Sequence, residues 1–395
     1  MLSVEEALAR ILALMSPTTP ETAPLLAAAG RVLAEPALAR RTQPPFPASA
    51  MDGYAVRGDD VRPGAVFRVI GEAQAGRRHD GPVGPGEAVR IFTGAPVPEG
   101  ADRIVIQEDA ERASDVVTLK ANLDPQAYIR PAGTDFAVGE TLSAPRRLTP
   151  QDVALLAAMN LPQVPVRRRP IVALIPTGDE LVEPGETPGP DQIVSSNAYG
   201  LAGVLAAQGA EPRLMPIARD DPASLRAAFD AAQGADLIVT LGGASVGDHD
   251  LVRQVAGDQG LALDFYRVAM RPGKPLMAGR LGATPMVGLP GNPVSAIVCG
   301  HVFLRPAVDA LLGLPAAALP RERARLARPL AANGPREHYA RAALQLGPDG
   351  VLGVDVAERQ DSSLLSVLSR ANALAVIPPR HPAQPAGAEI SVIRI

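Results

Sequence analysis

Residues 171 to 315 alternate short apolar runs with helix-forming stretches, and few architectures tolerate that order. IVALI at 171–175 is apolar throughout, the pattern of a strand covered on both faces. SNAYGLAGVLAAQG (196–209) reads as a helix, RLMPI (213–217) as a strand, ASLRAAFDAAQ (223–233) as a helix and DLIVTL (236–241) as a third strand. Shorter strands are expected near Val268, Met277 and Val287, followed by a long helix, PVSAIVCGHVFLRPAVDALL (293–312). Strand and helix alternating at this spacing predict right-handed crossovers and a parallel, doubly wound sheet.

The flanks differ. MLSVEEALARILALMS carries Glu5 and Glu6 where a signal peptide would be basic, so it reads as an amphipathic helix. PPFPASAMDGYAV (44–56) is turn-rich, and from Val61 to about Leu119 short Val/Ile runs punctuated by Gly, Pro and Asp predict strands. Thr149, Pro150 and Asp152 form a helix start, and RRRP at 167–170 marks a boundary. Beyond Leu319 the pattern is β again (YARAALQL, GVLGVDV, ALAVIPP, EISVIRI), as in a small barrel or sandwich.

Composition excludes several function classes. With 38 basic and 42 acidic residues the net charge is −4, a poor basis for binding polyanions by bulk electrostatics. The single cysteine, Cys299, rules out an intrachain disulfide framework or thiolate cluster and suits a reducing compartment. No uninterrupted apolar run approaches the roughly 20 residues of a membrane span. Lysine occurs only at Lys120 and Lys274 in an arginine-rich chain.

In a doubly wound domain, ligands sit beyond the carboxyl ends of the strands. There the chain places Thr177-Gly178-Asp179-Glu180-Leu181, Asp220-Asp221, Gly242-Gly243-Ala244-Ser245-Val246-Gly247-Asp248-His249-Asp250, Arg271-Pro272-Gly273-Lys274-Pro275 and Leu289-Pro290-Gly291-Asn292-Pro293. Each has a plain structural reading beside the functional one. Asp220 or Asp221 could be a helix cap, the glycines could permit a tight turn or cradle an anion, and Asp248 and Asp250 could be helix-start charges. His249 reads as a turn residue and Cys299 as core. Together, glycine loops with Arg or Lys suit phosphate, and carboxylates suit a hard cation such as Mg²⁺. GxxxxGK[ST], GxGxxG after the first strand, HExxH and GxSxG are all absent.

Ser49-Ala50-Met51-Asp52-Gly53-Tyr54-Ala55, Thr93-Gly94-Ala95 with Pro98 and Gly100-Ala101-Asp102, and the strand-end segments above resemble, in order from about residue 40 to 315, the molybdopterin molybdenumtransferase family of MoeA and the gephyrin E domain. The resemblance implies a multidomain α/β plus β chain. Its parts would be an N-terminal helical and linking domain (1–43 with 140–170), a β-rich domain (44–139), a doubly wound αβα molybdopterin-binding sheet domain (171–317) and a C-terminal β-barrel-like domain (318–395).

It further implies insertion of molybdenum from molybdate into adenylylated molybdopterin with release of AMP, with Mg²⁺ required. The pterin's dithiolene sulfurs would hold the molybdenum, so few Cys or His are needed. A cytoplasmic homodimer with a cleft shared between subunits is expected, with molybdopterin adenylyltransferase and apo-molybdoenzymes as further partners, and neither nucleic acid nor membrane. By the same resemblance Asp52, Thr93, Asp135, Glu180 and Lys274 are catalytic. Glu180, Asp220 or Asp221, Asp248 and Asp250 serve the cation. Ser196, Asn197, Gly242, Gly243, Ser245, Gly247, Arg267, Arg271, Pro290, Asn292, Pro293 and Ser295 bind substrate. Family members often carry Lys where Arg267 and Arg271 stand, and a planar fork is not a point donor. The competing readings are an adenylyltransferase sharing the sheet domain, which the MDGYA and TGA segments and the C-terminal β region disfavour, and a non-catalytic pterin-binding scaffold.

Overall fold

The computed structural model describes residues 1–243 and 251–395. Helix α1 (Val4–Leu14) starts at a capping box in which Ser3 and Glu6 satisfy each other's backbone N–H groups. It buries Val4, Ala7, Leu8 and Ile11 in the core of the central sheet, not among the residues that follow it.

Strands Pro20–Pro24, Val32–Leu33, Arg146–Arg147 and Gln163–Arg167 form one small sheet, so the segments before 43 and after 140 share a core built on Leu33, Leu148, Leu156 and Val166. Helix α2 (Pro150–Ala158) closes it, capped by Thr149 as the sequence predicts. Between these segments lies a six-stranded sheet of β1 (Gly53–Val56), β2 (Val66–Ala73), β3 (Glu87–Ile91), β4 (Arg103–Ile106), β5 (Ala110–Ala113) and β6 (Val116–Leu119), in the order β4-β1-β3-β2-β6-β5. Its two apolar clusters draw on residues between Tyr54 and Ile129.

The central sheet contains β7 (Ile171–Pro176), β8 (Glu211–Leu214), β9 (Leu237–Leu241), β10 (Leu261–Tyr266), β11 (Met277–Leu281) and β12 (Thr284–Leu289), in the order β8-β7-β9-β12-β11-β10. Helices α3 (Asn197–Gln208), α4 (Pro222–Ala231) and α5 (Leu251–Asp258) alternate with them. On β7, Val172 and Leu174 face one core while Ala173 and Ile175 face the other, which is why the run is apolar at every position. The sheet is not wholly parallel, because β11 runs against both neighbours. Its link to β12 is the two-residue turn Gly282-Ala283, with Gly282 at φ +58°, and so short a loop can only reverse the chain.

Residues 293 to 311 are helical but interrupted: α6 (Pro293–Cys299), a π turn over Gly300–Leu304, then α7 (Arg305–Leu311). Pro306 cannot donate to the carbonyl four residues back, and the widened turn accommodates that loss. Pro293–Leu311 is long and apolar enough to cross a membrane by length and composition alone, but His301, Arg305 and Asp309 interrupt its apolar run and 72% of its most apolar window is buried inside the protein. At its crossing with α3, a Cβ on Gly300 would lie 2.2 Å from Leu201 Cδ2, so only glycine permits this approach.

The C-terminal strands β13 (Glu322–Leu326), β14 (Glu337–Leu346), β15 (Leu352–Val356), β16 (Ala373–Ile377) and β17 (Glu389–Arg394) close into a five-stranded barrel, β14 pairing with both β15 and β16. Ala373, Ala375 and Ile377 fill the barrel, while Leu374 and Val376 face the core of the central sheet.

Candidate active site

The carboxyl ends of β7, β9 and β12 open into a cleft of about 1050 Å³. Its floor is main chain. Gly242 sits at φ +108°, and a Cβ there would meet the Thr177 carbonyl at 2.7 Å. The loops after β7 and β9 therefore press backbone to backbone. A Cβ on Gly291 would stand 3.5 Å from the Gly242 Cα, an ordinary contact. Thr177 N–H donates to the Leu241 carbonyl (3.0 Å) and Gly242 N–H to the Leu289 carbonyl (3.1 Å), extending the sheet's register into the loops. Asn197, at the start of α3, donates from Nδ2 to the Gly291 carbonyl at 2.7 Å and fixes the far side.

Glu180 and Asp220 both line this cleft. The Glu180 carboxylate folds over Gly178, where a Cβ would lie 2.3 Å from it. Arg219 donates to the carbonyls of Asp179 (3.1 Å) and Leu181 (3.0 Å), and Asp220 N–H donates to Asp179 Oδ1 (3.1 Å), so the two acidic loops are braced together. Asp221 is otherwise engaged. It is the N-cap of α4, accepting from Ala223 and Ser224 N–H at 2.9 Å each. Among the described residues no group of three or more His, Cys, Asp or Glu could by itself hold a metal ion.

Of the residues expected to bind substrate, Ser196, Asn197, Gly242, Gly243, Pro290, Asn292 and Pro293 line the cleft. Ser295 is buried in α6 behind it. Ser245, Gly247, Asp248 and Asp250 fall outside the described residues. The cations are dispersed. Pro275 lines the cleft, but its neighbour Lys274 does not. Arg271 lines a separate cavity of about 720 Å³ with His338 and Asp361, at the seam where Met270-Arg271 pairs with β14. Arg267 packs its guanidinium over Tyr266, 5.3 Å from the ring centroid, and its buried Nε has no hydrogen-bond partner among the described residues.

Asp52, Thr93 and Asp135 are absent from the cleft lining of their own chain. Two of them form a tight pair. Thr93 donates to Asp52 Oδ1 from its backbone N–H (2.7 Å) and its hydroxyl (2.8 Å), and these bonds, followed by the charge of Arg90, hold the Asp52 carboxyl below its ordinary range. Asp135 N–H donates to the Gln43 carbonyl at 3.0 Å, in the loop beyond the β-rich module.

Sequence reading passed over Gln254, from α5, and Ser363, from the barrel, both of which line the cleft. Ser363 had no strand-end signal because another domain delivers it: the Val294 N–H donates to the Ser362 carbonyl (3.0 Å), docking that loop on the start of α6.

Three characterised sequence regions align along this chain: the MoeA N-terminal region (domain I and II) at residues 2–160, a probable molybdopterin binding domain at 173–310, and the MoeA C-terminal region (domain IV) at 323–395. A molybdopterin molybdenumtransferase from Nostoc sp. is 37% identical over 387 residues, covering 95% of this chain and 88% of its own. The chain belongs to the MoeA family. A second member, molybdopterin molybdenumtransferase 2 of Mycobacterium tuberculosis, is 38% identical over 87% of this chain and 88% of its own. Among solved structures, the molybdopterin biosynthesis MoeA protein of Pyrococcus horikoshii superposes with a TM-score of 0.85 at 29% identity, covering 100% of this chain and 99% of that one. The MoeA arrangement thus runs from α1 to the end of the barrel.

Proposed function

We propose that this protein is a molybdopterin molybdenumtransferase, inserting molybdenum from molybdate into adenylylated molybdopterin with release of AMP in molybdenum cofactor biosynthesis. The observation that carries the reading is the cleft itself: a glycine main-chain floor that suits phosphate, facing Glu180 and Asp220, in a chain related end to end to enzymes of that name. The dithiolene of the pterin supplies soft ligands to the molybdenum, so the scarcity of Cys and His is no obstacle.

A divalent cation fits the residues present. Mg²⁺ is usually held by one or two carboxylates plus substrate phosphates, and Glu180 and Asp220 provide that pair without a closed protein cage. When bound there, the cation offsets charge on the phosphoryl oxygens as AMP departs. Glu180 and Asp220 would hold it, while the glycine loops orient the phosphate and Asn197 keeps the Gly291 wall in place.

Asp52 and Thr93 lie off the cleft of their own chain, which favours a homodimer in which each subunit supplies that wall to the other's cleft. Incubation with adenylylated molybdopterin, molybdate and Mg²⁺ should release AMP and yield cofactor that reconstitutes an apo-molybdoenzyme; no AMP release overturns the reading. Glu180→Ala should fold normally and yield no cofactor. Mixing Asp52→Ala with Glu180→Ala subunits should restore about half of one site's activity, and no complementation excludes a shared cleft.

A further inference from the structure

Asp52 is held by more than Thr93. Arg90, on β3, lies opposite Tyr54 in the β1–β3 register. Its guanidinium carbon stands 5.1 Å from the Tyr54 ring centroid and 4.8 Å from that of Phe92. From this seat it donates through Nη1 to the Gly53 carbonyl (3.1 Å) and through Nη2 to Gln107 Oε1 (2.8 Å). Gln107 in turn donates its backbone N–H to the Asp52 carbonyl at 3.0 Å. The carbonyls of Asp52 and of the next residue are thus both tied to one guanidinium, the first through Gln107 and the second directly. The main chain has no slack at this point, since a Cβ on Gly53 would lie 2.0 Å from the Val105 carbonyl oxygen. What remains free is the Asp52 side chain, and Thr93 fixes its Oδ1.

We infer that Arg90 is the positioning residue for Asp52, setting the carboxylate through Gly53 and Gln107 without touching substrate itself. The role needs a planar group that stacks on two rings and donates along two directions at once. Lysine keeps the charge but provides neither the fork nor the stack. This inference rests on reading Asp52 as a wall of the active cleft.

The test uses full-length protein and AMP release from adenylylated molybdopterin. Arg90→Lys should melt within a few degrees of wild type, keep its KM for the pterin substrate, and lose roughly 10- to 100-fold in kcat, the scale of a misplaced reacting group. In the double variant with Asp52→Asn the loss should not exceed that of Asp52→Asn alone, because both act on one carboxylate. Wild-type kcat for Arg90→Lys, or losses that multiply, overturns the inference. Should Arg90→Lys fail to fold, Gln107→Ala, at an exposed position, keeps the backbone bond to Asp52 but removes the acceptor that orients Arg90 Nη2, and should lower kcat without changing KM; unchanged kcat counts against the role. If wild type releases no AMP, the functional reading has failed and Arg90 is judged separately. Carbon-13 NMR of labelled aspartates, assigned with Asp52→Asn, should show the Asp52 titration moved upward and its resonance shifted in Arg90→Gln; an unmoved resonance and midpoint refute the positioning.

Discussion

Replacing Arg341 by methionine removes the group that holds the barrel's loop in the cleft wall. Arg341 is 1% exposed. It donates to the carbonyls of Asp361 (2.8 Å) and Arg359 (3.2 Å), and its Nε (3.2 Å) and Nη2 (3.1 Å) both bond Gln360 Oε1. Gln360 answers with Nε2 bonds to the carbonyls of Arg341 (3.1 Å) and Ala357 (2.7 Å). Methionine fills much of the volume but takes the guanidinium donor from the carbonyls of Arg359, Asp361 and Leu364 and from Gln360 Oε1, which keeps the Arg341 backbone N–H (3.1 Å). At about 0.5–1.5 kcal/mol for each of the four acceptors that loses a hydrogen bond, the local cost is about 3 kcal/mol. That corresponds to roughly 150-fold more frequent opening of the loop. Hydrogen exchange followed by mass spectrometry on peptides spanning 357–369 measures it directly. Protection should fall by about that factor there, with a smaller change in β7 and β9, which Arg341 does not touch. Arg341→Lys should fall between, since an ammonium cannot span all four acceptors. Unchanged protection in Arg341→Met would falsify the claim that this side chain anchors the wall carrying Ser363.

Gly243→Ala puts a Cβ 2.2 Å from Val252 Cγ2 at φ +66°, whereas Gly234→Ala, at φ +82°, meets nothing within 4 Å. Thermal melting should show about 1 kcal/mol lost at Gly234 and at least about 2 kcal/mol more at Gly243, and equal losses would mean that the steric contact is absent. Asp221→Ala should cost about 1 kcal/mol as a lost cap with little effect on kcat, while Asp220→Ala should leave stability unchanged and lower AMP release; the reverse assignment would exchange their roles. Burial holds His301 and His338 neutral down to a pKa of about 4, against 6.5 in the unfolded chain. Between those values the unfolded state binds more protons, so stability rises with pH across that window and is lost on acidification. His301→Leu should remove about half of the slope that the two histidines give to urea midpoints between pH 4 and 6.5; an unchanged slope contradicts its burial as a neutral ring.

The central sheet was legible because burial on both faces writes continuous apolar runs, as at 171–175, and because Thr149 and the strand-end glycines carry their own geometry. The reversed strand β11 was less legible, since Gly282-Ala283 is a weak turn signal beside the βα rhythm on either side. The site was readable where one strand end supplies it. Glu180, the Gly242-Gly243 turn and the Pro290–Pro293 segment all come to one cleft. Residues that reach it by tertiary docking, Ser363 and Gln254, left no local trace. Between Asp220 and Asp221, only three-dimensional structure separates the cap from the cleft residue, because the two neighbours are chemically identical. Arg267 and Arg271 were grouped by the family resemblance, yet the stacking of Arg267 on Tyr266 and the seam of Arg271 with the barrel give them different surroundings.

Where the cleft's floor is peptide backbone pressed against peptide backbone, as between Gly242 and the Thr177 carbonyl, no side chain is available for selection to exchange. That half of the recognition surface is inherited with the sheet and changes only if the fold does. Retuning toward a different ligand must come from the rim, and the loop that brings Ser363 is anchored in a separate domain whose sequence can drift without disturbing the strands beneath.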